Sequence, residues 1–202
     1  MVSDNIRLDH RIIFSVIEKG AKILDLGCGE GDLLNLLTRE KQVTAQGIEK
    51  DDRAIQECVK KGVSVFHDDI ESGLREYPDN SFDYVILNQS MEEIKNVESL
   101  IHDALRIGNR IIISFPNFAY YKSRVMLFFR GRAPVTKSLP YSWFDTPNVR
   151  FLTITDFRDF CIQKKIRITG SYFLGERREI KIMPNLFALN AIFILSRGEV
   201  GK

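Results

Sequence analysis

The sequence predicts a doubly wound α/β fold, in which a mostly parallel sheet is covered by helices on both faces. Three observations point there. Short β-branched runs alternate with helical stretches from residue 21 to 115. The runs are continuously apolar, as strands buried on both faces require. The first run ends in an acid and a glycine-rich turn, the place where such sheets receive a ligand.

The elements follow in order. Residues 21–26 (AKILDL) read as a strand, and 32–39 (DLLNLLTR) carry leucines at helical spacing. Residues 43–48 form a second strand, and 51–61 a second helix with Ile55, Cys58 and Val59 on one side. Residues 63–66 and 82–87 (FDYVIL) are the third and fourth strands. A helix over 97–106 turns Val97, Leu100, Ile101, Ala104 and Leu105 inward, and 110–115 (RIIISF) is the fifth strand. Right-handed crossovers wind these units onto both faces. Alternation then stops. Residues 118–129 read as a helix ended by Gly131 and Pro134. Thr155 is placed to cap a helix over 156–164. Residues 166–174 and 190–196 read as late strands joined by a basic link, 175–189. With no helix between them, they are expected as antiparallel neighbours at the sheet edge.

Composition excludes several classes. At 202 residues the chain suits one domain, residues 1–202, and is too short for two ordinary ones. No apolar run exceeds five residues, so no membrane span and no membrane partner are expected. The first eleven residues mix acids with bases and do not read as a secretory signal. Cys28, Cys58 and Cys161 have neither C-x-x-C spacing nor a histidine pair nearby, so they read as reduced thiols of a cytoplasmic protein with no metal site. A net charge of +2 is no nucleic-acid signature.

That mean hides an insertion at about 116–150. It holds six bases (Lys122, Arg124, Arg130, Arg132, Lys137, Arg150) against one acid, Asp145. It also holds 8 of the 21 aromatics and 4 of the 6 prolines, so it differs in kind from the rest. Three readings compete. It docks a protein partner, with aromatics and arginines of the type enriched at hot spots. It binds nucleic acid by stacking and phosphate contacts. Or its aromatics fold inward over the cleft while its bases form a solvated face. Three bases in residues 118–130 do not make the lysine-rich polar face of an amphipathic membrane helix.

The sharpest motif is Asp25-Leu-Gly-Cys-Gly-Glu-Gly31, a G-x-G-x-G turn between a strand and a helix. Glycines let backbone approach a ligand, and the helix start adds unpaired N–H groups. The spacing is neither G-x-G-x-x-G nor a P-loop, so a pyrophosphate is disfavoured. Glu49 ends the second strand and is placed to accept ribose hydroxyls. Lys50 follows it, either neutralising Glu49 or pointing to solvent. Asp69, ending the third strand, is placed to accept from an adenine amino group. Asn88 ends the fourth strand at the same edge, and all of these are expected on one cleft.

ILDLGCGEG, GIEKDD and HDDI together resemble the class I S-adenosylmethionine-dependent methyltransferase signature. The resemblance implies a seven-stranded sheet closing in a reversed hairpin. It puts Gly27, Gly29 and Gly31 against the cofactor, Asp25 on its methionine moiety, Glu49 on ribose and Asp69 on adenine. Cys28, Lys50, Ile70 and Asn88 complete the expected cofactor set. A closer resemblance, over nearly the whole chain, is to the methionine biosynthesis protein MetW family. YPDNSFDYVILNQ (77–89), SFPNF (114–118), LFFRGRAPVTKSLPYSWFDTPN (127–148), LTITDFRDFC (152–161) and NLFALNAIFILSR (185–197) carry it. This implies a protein that binds S-adenosylmethionine or S-adenosylhomocysteine and works beside a homoserine O-acyltransferase. Phe128, Phe129, Arg130, Arg132, Trp143 and Phe144 are the expected docking residues.

The alternative is an active methyltransferase on an unidentified small molecule. The catalytic half is less legible than the cofactor half. His67 alone is expected near the cleft, because His10 precedes the first strand and His102 reads as a surface residue. Asn88-Gln89-Ser90-Met91 is not the N/D-P-P-Y pattern of amino-group methyltransferases. No G-x-S-x-G elbow is present, so acyl transfer is not carried here. Glu92 and Glu93 read as a solvated helix start, since adjacent helix positions point apart.

Overall fold

The structure, a computed structural model, describes residues 6–71 and 73–198. The outermost residues of the expected domain, and the beginning of the stretch read for a signal, lie outside the described residues. Seven strands form one sheet in the order β3-β2-β1-β4-β5-β7-β6. These are β1 (Lys22–Leu26), β2 (Thr44–Glu49), β3 (Val65–His67), β4 (Phe82–Asn88), β5 (Gly108–Pro116), β6 (Arg167–Leu174) and β7 (Asn190–Ser196). The first five run parallel, and β7 is antiparallel to both β5 and β6. The expected late pair is therefore present, with β6 at the edge and β7 one place inside. Strand order reverses between β1 and β4, which opens a crevice at their carboxyl ends.

Side chains alternate across the central strands and feed two cores. Leu24, Leu26, Val85 and Leu87 lie on the face covered by α4 (Val97–Ile107) and α6 (Ile154–Gln163), with Ile101 and Phe157. Ile23, Tyr84, Ile86 and Ile112 lie on the other, with Leu34 and Leu37 of α2 (Asp32–Lys41) and Ile13 of α1 (Leu8–Val16). Each fully buried Leu or Ile contributes about 1.5–3 kcal/mol relative to exposure. The second crossover helix is α3 (Asp52–Lys60), capped by Asp51, which accepts from the Ala54 N–H at 2.8 Å. Among the described residues no helix is long and apolar enough to cross a membrane.

Several boundaries differ from expectation, each for a local reason. The third strand begins at Val65, not 63, because the Val63 N–H still donates to Cys58 in the turn after α3. The helix expected over 118–129 is α5 (Tyr121–Arg130). Before it, the fully buried Asn117 fixes the chain: Nδ2 donates to Asn185 and Ala188, and Oδ1 accepts from Ala119 and Ile154. Thr153, not Thr155, caps α6. Thr153 Oγ1 accepts from the Asp156 N–H at 3.2 Å, and Asp156 Oδ2 accepts in return from the Thr153 N–H at 3.0 Å, a capping box. The 175–189 link contains a short helix, α7 (Pro184–Phe187). From Gly131 to Thr153 the chain is irregular.

Candidate functional site

The turn after β1 sits at the sheet's reversal point. The Gly27 N–H donates to Ile48 O at 2.9 Å, which ties the turn to β2. Gly29 has φ +54, and a Cβ there would meet nothing within 4 Å, so this backbone borders open space. Gly31 caps α2 with φ +76, and a Cβ would stand 2.8 Å from Cys58 Sγ. Side chains are excluded at Gly31 by packing, and Gly29 offers bare backbone to the crevice. A cavity of about 240 Å³ lies here, lined by Arg7, His10, Asp25, Gly27, Cys28, Gly29, Glu30, Asp32, Leu33 and Asn88.

Asp25 is part of its lining. It is 2% exposed, and its Oδ1 has no hydrogen-bond partner. Burial, and then the charge of Glu49, push its carboxyl up to about 7. Glu49 is organised by backbone: Oε2 accepts from Gly29 at 2.9 Å, and Oε1 from Lys50 at 2.8 Å and Asp51 at 3.0 Å. Of about four lone-pair directions on a carboxylate, three are engaged. Lys50 extends outward to Glu93 at 3.5 Å. Asp69 lies past the end of β3, exposed, and accepts from the Glu71 N–H at 3.0 Å. Ile70 is half-buried, with Cδ1 3.2 Å from where a Cβ on Gly27 would lie. The cavity thus gathers Asp25, Gly27, Cys28, Gly29 and Asn88. Glu49 joins it through Gly29, whereas Lys50, Asp69 and Ile70 are not among the residues lining it.

Below the turn, Cys28 and Cys58 stand 3.9 Å apart, and Cys58 Sγ donates to Gly29 O at 3.1 Å. Both are free thiols, and burial raises their pKa. Among the described residues no group of His, Cys, Asp and Glu is arranged to hold a metal ion.

The basic aromatic stretch splits in two. Tyr120 is buried, and Phe118 packs on Phe151 at 4.8 Å. Phe128, Phe129, Trp143 and Phe144 are 83, 76, 78 and 73% exposed. They form two edge-to-face pairs, Phe128–Phe129 at 4.9 Å and Trp143–Phe144 at 5.8 Å. None of the four folds inward over the glycine turn, contrary to the covering arrangement weighed from the sequence. Arg130 and Arg132 are exposed beside them.

The profile of the family described as methionine biosynthesis protein MetW matches residues 7–195. The chain belongs to the MetW family. It is 35% identical over 206 aligned positions to the bifunctional methionine biosynthesis protein MetXA/MetW of Rhodopirellula baltica, covering 95% of this chain and 33% of that one. The chain spans about a third of the length of the first curated relatives it matches. An S-adenosylmethionine-dependent methyltransferase of Thermotoga maritima, described as a possible histamine N-methyltransferase, superposes with a TM-score of 0.66 at 15% identity, over 94% of this chain and 87% of the other. A second, from Archaeoglobus fulgidus, gives 0.65 at 17% identity over 95% and 91%. At such identities the likeness establishes the fold, which is that of class I methyltransferases.

For this MetW-family chain, sequence reasoning missed the part played by α1. His10, set aside from the cleft because it precedes the first strand, is buried and lines the cavity. Burial holds its imidazole below the ordinary value, partly offset by Asp9. Asp9 is buried as well. Burial alone would raise it, but the charges of Arg7 and His10 and bonds from Arg7 and Asn88 hold it low. Asn88, expected in the cofactor set, donates to Asp9 at 3.2 Å and accepts from Ser114. His67, expected near the cleft, is exposed and faces Asp52 at 3.7 Å. Glu92, expected at a solvated helix start, is 6% exposed. The available signal for α1 was the set Leu8, Ile12, Ile13 and Val16 at helical spacing.

Proposed function

We propose that the chain binds S-adenosylmethionine or S-adenosylhomocysteine in the cleft over the glycine turn and acts as accessory partner of a homoserine O-acyltransferase in methionine biosynthesis. The cleft fits such a ligand in three respects. The unpartnered Asp25 oxygen suits the ammonium of the methionine moiety. The bare backbone at Gly29 admits close approach, and Glu49 retains an open direction for a ribose hydroxyl. Bound S-adenosylmethionine would supply an electrophilic methyl group. The chain's own residues bind and orient the ligand, with Asp69 and Ile70 placed beyond Gly27 on its adenine side.

The observation that carries the partner half is the Rhodopirellula baltica relative, which joins MetXA and MetW in one protein. We take its MetXA portion as the homoserine O-acyltransferase implied by the family. Joined chains hold their modules at high effective concentration, which favours an interface between them. In this chain the surface that suits docking is the aromatic stretch, as the 116–150 insertion, with Phe128, Phe129, Trp143 and Phe144 as apolar anchors and Arg130 and Arg132 as forks for carboxylates.

A second reading, methyl transfer to a small molecule, is favoured by one observation: His10 offers a buried imidazole, held below its ordinary pKa, at the cavity wall. One experiment separates them. The chain is mixed with a homoserine O-acyltransferase and run on a sizing column, and S-adenosylhomocysteine release from S-adenosylmethionine is assayed on the same sample. Co-elution with a changed acyl-transfer rate supports the accessory reading. Turnover without co-elution replaces it with the second.

A further inference from the structure

A second cavity of about 600 Å³ adjoins the first, in the size range of small-molecule sites. It opens between α1, the turn after β4, the 137–148 stretch and the ends of β6 and β7. Arg7 lines both cavities. Four acids line the second one, Asp9, Glu92, Glu93 and Glu176, against two bases, Arg7 and Lys137. Its wall is therefore acidic although the insertion that helps to build it is basic.

Both bases already have partners. Arg7 forks onto Asp9 at 2.6 and 3.1 Å, and Lys137 reaches Glu176 at 3.1 Å. Glu93 faces Lys50. Glu92 differs from these acids: it is 6% exposed, and its Oε2 has no hydrogen-bond partner. Asn190, the first residue of β7, also lines this wall, and its side-chain oxygen is buried and unpartnered. A buried acceptor without a donor is costly, and here two residues that each carry one line the same cavity. The missing chemistry is a compact cation with several N–H donors. An ammonium group has three and no acceptor. A ligand carboxylate would add a negative charge to a wall that already holds four acids, with each of its two bases paired to one of them, so the amine is the recognised group.

We propose that this cavity binds a small primary amine, with its ammonium group seated on Glu92 and Asn190. The site does not depend on a cofactor in the neighbouring cleft. Calorimetry on the full chain at pH 8, with and without S-adenosylhomocysteine, uses n-propylamine, 2-aminobutyrate and butyrate at roughly 10 mM, the range that fragment-sized ligands require. Both amines are expected to bind and butyrate is not. Glu92→Gln keeps shape and removes charge; at least tenfold weaker amine binding is expected, with S-adenosylhomocysteine binding unchanged. Asn190→Leu gives the same loss without touching the carboxyl, and carries the test if Glu92→Gln fails to fold. Silence from both amines, butyrate binding as tightly as propylamine, or unchanged amine affinity in a folded variant overturns the proposal. Amine heat with no S-adenosylhomocysteine heat overturns the cofactor reading alone.

Discussion

The backbone N–H of Gly29 donates to Glu49 Oε2 at 2.9 Å, so the acid ending β2 holds the middle of the glycine turn. One side chain thereby sets the shape of the turn and, in the proposed cofactor reading, meets the ribose. Glu49→Ala removes the acceptor of three backbone donors. We expect S-adenosylhomocysteine affinity to fall by about 1–3 kcal/mol, the range for losing a polar partner. Calorimetry reads it directly, and an unchanged affinity counts against the cleft as the cofactor site.

The exposed aromatics give a prediction of opposite character. A Phe128→Ser/Trp143→Ser double variant alters residues 83 and 78% exposed, so folding stability should move by no more than about 0.5 kcal/mol per site. S-adenosylhomocysteine binding should persist while co-elution with the acyltransferase is lost. If the partner still binds and the cofactor does not, the aromatics serve the cleft and the docking assignment is wrong.

Two buried carboxyls, Asp25 and Glu92, are each pushed up to about 7, chiefly by burial. Between about pH 4 and 7 the folded chain keeps protons there that the unfolded chain has released. Their contribution to stability is complete below about pH 4 and is lost as pH rises to 7, at up to about 1.4 kcal/mol per pH unit for each group. His10, held below its ordinary value, gives the reverse slope over part of this range. The clean readout is therefore a difference. Denaturant midpoints of Asp25→Asn and Glu92→Gln, minus those of the unaltered chain, should rise steadily from pH 4 to 7. Parallel curves would mean that neither carboxyl is perturbed.

Thiol chemistry supplies a further test. Burial raises the pKa of Cys28 and Cys58, and that of Cys161 to about 11. Since the thiolate is the reactive form, the native chain should react with Ellman's reagent far more slowly than the denaturant-unfolded chain. Rapid labelling of Cys58 in the native chain would show that its packing under Gly31 opens readily.

The periodic parts were legible because their physics is local. Continuous apolar strands gave the sheet, and residues 25–31 gave the turn, because each reports its own burial or backbone need. What escaped depended on long-range contact. Asp9 and His10 look like ordinary charged helix residues until Asn88 and Asp25 are brought beside them by folding. Glu92 reads as solvent-facing because nothing adjacent in sequence announces that residues 149 and 150 will close over it, their N–H groups donating to its carbonyl. Thr153 was recoverable, since Thr153-Ile-Thr-Asp156 carries the spacing of a capping box, but Thr155 presents the same side chain two residues later.

The placement of β7 has a consequence for how the chain is made. The strand occupies the slot between β5 and β6, yet it is the last of the seven to leave the ribosome. Until residues 190–196 emerge, Ile111–Pro116 present an unpaired hydrophobic edge, and β6 has no neighbour in the sheet. Such edges invite association with other chains. Synthesis that stops before residue 190 should yield aggregating material and no smaller folded core, so the seven-stranded sheet is completed only when β7 arrives.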